Sequence, residues 1–130
     1  MATLNVSLTL TSTDISSDNL NMTVTDALTV VSPTQSNSLV TATTTGGDNI
    51  ILPNLDSPRY VYLKHTGLNS AGSSSGTDKV HVETADGTSI MELKTGEFAF
   101  FPYYAEGAGL LQLEASANTV QIEYAFFTRG

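Results

Sequence analysis

At 130 residues and 40% hydrophobic content, the chain is long enough and apolar enough to fold as one domain with a real core, which excludes a disordered tail or linker. A net charge of −8, with only five Lys and Arg, argues against nucleic acid and against an anionic membrane surface, and no apolar run approaches bilayer length. Cysteine is absent, so disulfides and thiolate metal sites are excluded, and Ser and Thr, about a quarter of the residues, make the surface hydroxyl-rich.

Strict alternation opens the chain. Leu4, Val6, Leu8 and Leu10 share one parity and Thr3, Asn5, Ser7 and Thr9 the other, the pattern of a half-buried strand. The opening MATLNVSLTL has neither a basic leader nor a continuous apolar stretch, so no secretory signal is expected. TSTDISSDN reads as a turn, after which Leu20, Met22, Val24, Leu28 and Val30 continue the even-parity stripe. Asp26 interrupts that stripe and suggests a bulge. The similarity of LNVSLTLT to LNMTVTDALT fits a hairpin.

SPTQSNS reads as a turn, LVTATTT as a polar strand, and GGDN as the lead into a short apolar strand at Ile50–Leu52 closed by Pro53. RYVYLKH carries aromatic and β-branched residues on both parities, which predicts a central strand buried on two sides. TGLNSAGSSSGTD reads as a flexible loop open to surface contacts. KVHVET, SIMEL, EFAFFP, LLQLEA and TVQIEYAFF then follow at the spacing of an antiparallel meander. Asp86-Gly87 suits a tight hairpin turn with positive φ at both residues.

The fold class predicted is all-β: an antiparallel β-sandwich, jelly-roll or immunoglobulin-like, of about eight to ten short strands. A single domain is expected over 1–130, with the N-terminal strands (2–31) available for contacts between subunits.

Chemistry is sparse. His65 and His81 each lack a neighbouring histidine. His81 and Glu83 lie two apart on one strand face, and KTGEFAFFP is similar to the glycine turn of cupin metal sites. Such a site needs a His-x-His pair, however, and here Val80 and Val82 flank a lone histidine. No metal or other cofactor is expected. The glycine turn at 46–49 offers a single acid, Asp48, too little for calcium. Carboxylate pairs such as Glu92 with Glu97, or Glu114 with Glu123, read as outward, solvated residues and not as a glycosidase couple. No nucleophile elbow is present, and no catalytic residue is assigned.

The aromatic cluster Phe98, Phe100, Phe101, Tyr103 and Tyr104 and the closing Tyr124, Phe126 and Phe127 fit either strands buried on both faces of a sandwich or a face covered by another subunit. Phe101, Tyr103, Tyr104 and Phe127 are the residues assigned to an interface, and a homo-oligomer is expected. Tyr103 and Tyr104 together also suit a sugar-stacking platform.

At RYVYLKHTG, KVHVETADG, LKTGEFAFFP and QIEYAFF, and in the Thr/Ser-rich opening, the chain resembles small β-sandwich proteins of tailed bacteriophages, those of marine phages especially. The resemblance implies a non-enzymatic virion protein assembled in the host cytoplasm. Its role would be capsid decoration or cement, or a neck or tail component, and its partners the major capsid protein or other virion proteins.

Overall fold

Short runs of β-branched, aromatic and leucine residues, punctuated by Gly and polar turns, form nine strands among the described residues: β1 (Ala2–Ser12), β2 (Leu20–Ala42), β3 (Ile50–Leu52), β4 (Arg59–His65), β5 (Val80–Thr84), β6 (Ser89–Leu93), β7 (Phe98–Tyr103), β8 (Leu111–Ala115) and β9 (Val120–Arg129). The computed structural model describes residues 1–52, 58–104 and 110–130, without the side chains of 32–37 and 48. The expected closure of β3 by Pro53 lies outside the described residues, as do the middle of the turn after Tyr104 and the Asp48 carboxylate.

The strands form two antiparallel sheets, β1-β2-β9-β4-β7 and β3-β8-β5-β6. Apart from β1, the pairing is nested: β2 with β9, β3 with β8, β4 with β7, and β5 with β6. This is one long hairpin rolled up on itself, the jelly-roll arrangement, which decides between the two sandwich topologies the sequence left open. The expected meander holds only for β5 and β6. The Lys94–Gly96 turn carries the chain from one sheet to the other, because β7 pairs with β4 rather than with β6.

The core lies between the sheets. Leu63, Val80, Val82, Leu111, Leu113, Val120 and Ile122 are fully buried there, and Val61, Ile51, Leu52 and Phe126 complete the cluster. At about 25 cal/mol per Å² of apolar surface, burying each such side chain contributes roughly 1.5–3 kcal/mol against the entropy of ordering the chain.

Four local expectations are corrected. SPTQSNS is not a turn: β2 runs through it for 23 residues, and the irregularity appears as register shifts against β9 between Val30 and Ser38, where Pro33 is tolerated. Asp26 makes no bulge, since Val6 faces it in an unbroken register. β4 is central but buried on one face only: Val61, Leu63 and His65 point inward, while Tyr60 and Tyr62 are half-exposed. The β5–β6 turn needs positive φ at Gly87 alone (81°), because Thr84 and Thr88 close a three-residue loop by a backbone bond of 3.0 Å.

The Gly/Ser loop after β4 is also more organised than expected. Asn69 Oδ1 accepts the N–H groups of Ala71 (2.9 Å) and Ser73 (3.1 Å), and Ser75 N–H donates to Gly67 C=O (2.9 Å). This side-chain mimicry of a turn, together with an isolated antiparallel bridge between Leu68 and Ser74, fixes the loop.

Candidate interaction surface

The sheet outer faces differ in chemistry. On the four-stranded sheet, His81 of β5 lies between Glu92 of β6 and Glu114 of β8. Its Nε2 is 3.3 Å from Glu92, and Lys79 reaches the same carboxylate at 3.1 Å. The Lys79 ammonium, helped by His81, holds the Glu92 carboxyl below its ordinary range. Glu83, next along the same face, does not join His81. It is buried beneath the Gly46–Asp48 turn and accepts a bond from the Gln112 amide at 3.3 Å. The approach is close: a Cβ at residue 46 would sit 2.7 Å from the Glu83 carboxylate, so a larger residue there would have to displace that side chain. Among the described residues no three His, Cys, Asp or Glu gather as metal ligands.

His65 is fully buried and both ring nitrogens are engaged. Gly67 N–H donates to Nδ1 (3.0 Å), so the proton resides on Nε2, which donates to Asp78 C=O (3.0 Å). The ring ties the loop to β4 and has no nitrogen left for a metal or a substrate. Glu114 and Glu123 project from outer faces of opposite sheets, and Glu97 is occupied by the Lys94 backbone N–H (2.8 Å), so neither imagined carboxylate couple forms.

The five-stranded sheet presents an aromatic outer face. Strand alternation brings Tyr60 and Tyr62 of β4, Phe98, Phe100 and Pro102 of β7, and Phe127 of β9 to one surface. Tyr60 stacks on Phe100 (centroids 6.0 Å apart) and lies under the Arg129 guanidinium (5.2 Å). Tyr62 O–H donates to Glu123 (3.1 Å); partial burial, and then that carboxylate, push its pKa up.

Of the four residues assigned to an interface, Phe127 lies on this face and Tyr104 is exposed just past β7. Phe101 and Tyr103 turn the other way, edge to face at 6.3 Å and packed against the core, with burial raising the Tyr103 pKa. Tyr103 and Tyr104 therefore form no joint stacking platform. Tyr60, Tyr62, Phe98 and Phe100 form one, and the alternation of RYVYLKH and EFAFF carried that signal: the residues of opposite parity to the core-facing ones had to share an outer face.

Opposite this aromatic face stands the β1–β2 hairpin, an arm that reaches out from the roll. Its register pairs Leu4 with Leu28, Val6 with Asp26, Leu8 with Val24 and Leu10 with Met22, so every even position falls on one face and the Thr, Ser and Asn residues on the other. The apolar stripe starts at Val30, which is buried, and is largely open along the arm: Leu8 is 42% exposed, Leu10 44%, Met22 49% and Val24 58%. Between arm and sheet lies an open groove of about 780 Å³. Val6, Leu8, Val24 and Leu28 line one side, Tyr60, Phe98, Phe100 and Pro102 the other, and Asp26 is the only ionised group among the lining residues.

No protein family, no curated protein and no solved structure matches the chain. Its class is therefore set by its own geometry: an all-β sandwich of jelly-roll topology with an amphipathic hairpin arm.

Proposed function

We propose that the chain is a non-enzymatic virion structural subunit, a capsid decoration or cement protein that acts through subunit contacts. The observation carrying this reading is the arm, whose Leu, Val and Met stripe faces an aromatic sheet surface across an open groove. An isolated two-stranded ribbon is marginal in water, and an apolar stripe of this length is stabilised when a partner covers it. The jelly roll is shared by viral capsid proteins, lectins and cupins, so the fold is compatible with this reading and does not choose it. Against a cupin-like enzyme, the inward positions flanking His81 are Val80 and Val82, and the one interior histidine has both nitrogens engaged. The partner is the major capsid protein or another virion protein, with neck or tail attachment the alternative position.

The test is sedimentation with capsids assembled without this protein. Saturable binding at a defined copy number, weakened by Leu8→Ser with Val24→Ser, supports the reading, and a protein that ignores capsids, necks and tails overturns it. A second reading rests on the stacked Tyr60 and Phe100 pair, which suits the face of a sugar ring. Glycan-array binding lost in Tyr60→Ala would support that role instead.

A further inference from the structure

A sandwich of two open sheets has four edges, and here three are guarded. β3 is only three residues long, β7 contains Pro102, and β6 carries Glu92 in its ion pair with Lys79 and is followed by Lys94. Short length, proline and charge are the devices that keep an edge from pairing with another chain. The fourth edge, β1, has none of them. It is eleven residues long, about 35 Å at 3.3 Å per residue, and ATLNVSLTLTS contains no proline and no charged side chain.

We infer that β1 pairs with β1 of a second copy, antiparallel across a two-fold axis, joining the two five-stranded sheets edge to edge. The partner follows from self-complementarity. Full overlap of Ala2–Ser12 with itself puts Ser7 on the axis, which sets Leu4 against Leu10, Val6 against Leu8 and Asn5 against Thr9 of the other copy. Apolar then meets apolar and polar meets polar from Thr3 to Thr11, with only Ala2 against Ser12 mixed at the two ends, as an isologous contact requires. Charge selects the same edge. Two copies of net charge −8 repel each other and can meet only on uncharged surface. Asp26, one strand in from β1, would be about 14 Å or more from its counterpart across three strand spacings, beyond the screening length of about 8 Å at physiological salt. A two-fold perpendicular to the sheet keeps both apolar stripes on one side, so the pair offers a single broader surface to the capsid. This last consequence rests on the proposed virion role, while the pairing does not.

The experiment uses the full chain, whose lack of cysteine makes an introduced thiol unique. Ser7→Cys should form a disulfide-linked dimer under mild oxidation, because facing residues of an antiparallel pair sit about 4.5–5.5 Å apart, within disulfide reach. Ser73→Cys, in the exposed loop, should not. In parallel, Asn5→Lys, Ser7→Lys and Thr9→Lys are placed together on the exposed polar face of the arm, with the fold checked by circular dichroism. They lower the net charge from −8 to −5, so bulk repulsion falls while like charges are set against each other at the edge. Sedimentation equilibrium should show the wild type as a dimer and the triple variant dissociated at least tenfold more readily. A monomeric wild type, a Ser7→Cys protein that cross-links no better than Ser73→Cys, or a triple variant that dimerises as well as wild type overturns the pairing. A monomer that still binds capsids would remove the pairing and leave the virion role standing. A β1-paired dimer that ignores every part of the particle would do the reverse.

Discussion

The roll and the arm are written in the same alternating pattern and end in opposite states. In β5 and β8, Val80, Val82, Leu111 and Leu113 vanish into a core closed by the facing sheet. In β1 and the first half of β2, an equally regular stripe of Leu, Val and Met stays largely open. Alternation specifies which side chains share a face. What covers that face is a tertiary fact in the roll and, on the reading proposed above, a quaternary one in the arm.

The largest effect separating the two regions is expected from truncation. Leu63→Ala or Leu113→Ala leaves a cavity in a closed core and should cost about 2–5 kcal/mol in denaturant unfolding. Leu8→Ala or Leu10→Ala removes a side chain already half in water. Measured on dilute protein, it should cost under about 1 kcal/mol. Equal losses in both regions would mean that the arm is as closed as the roll.

A smaller loss is expected where the loop is tied to the core. His65→Leu keeps apolar volume but strands the Gly67 N–H and the Asp78 C=O, so thermal unfolding should report a loss of about 2–4 kcal/mol. The smallest effect is electrostatic. The Thr84 hydroxyl and Thr88 N–H bonds hold the Asp86 carboxyl below its ordinary range, and Lys79 does the same for Glu92. Groups whose folded pKa is depressed stabilise the fold fully above their unfolded pKa, and that contribution fades as pH falls through the folded value. The melting temperature should therefore drop on acidification below the usual carboxylate range, and Asp86→Asn should flatten that limb without touching the arm.

Much of this was legible in the sequence, for identifiable reasons. Alternation located β1 and the start of β2, and turn signals around short runs of strand formers located β3, β4 and the last five strands, but the aromatic outer face was not located, because RYVYLKH carries apolar residues on both parities and reads as buried on two sides. Strand order was not legible, because the pairing of β2 with β9 joins residues about ninety positions apart and no local pattern encodes it. For the same reason β6 to β7 read as one more hairpin. Alternation and the neighbouring Pro102 point to Phe101 and Tyr103 as contact residues, but β7 packs these odd positions against the core and turns Phe98 and Phe100 to the outer face. The continuity of β2 through SPTQSNS was hidden because turn-forming residues can also sit in an irregular register beside β9.

The most direct test of the difference between roll and arm is amide hydrogen exchange on dilute and on concentrated protein. Amides of the roll should be equally protected at both concentrations, while the β1 amides that point away from β2 gain protection only when the protein is concentrated, as the unguarded edge finds its copy. Protection of β1 that is indifferent to concentration would contradict the account, because the arm would then be complete within a single chain.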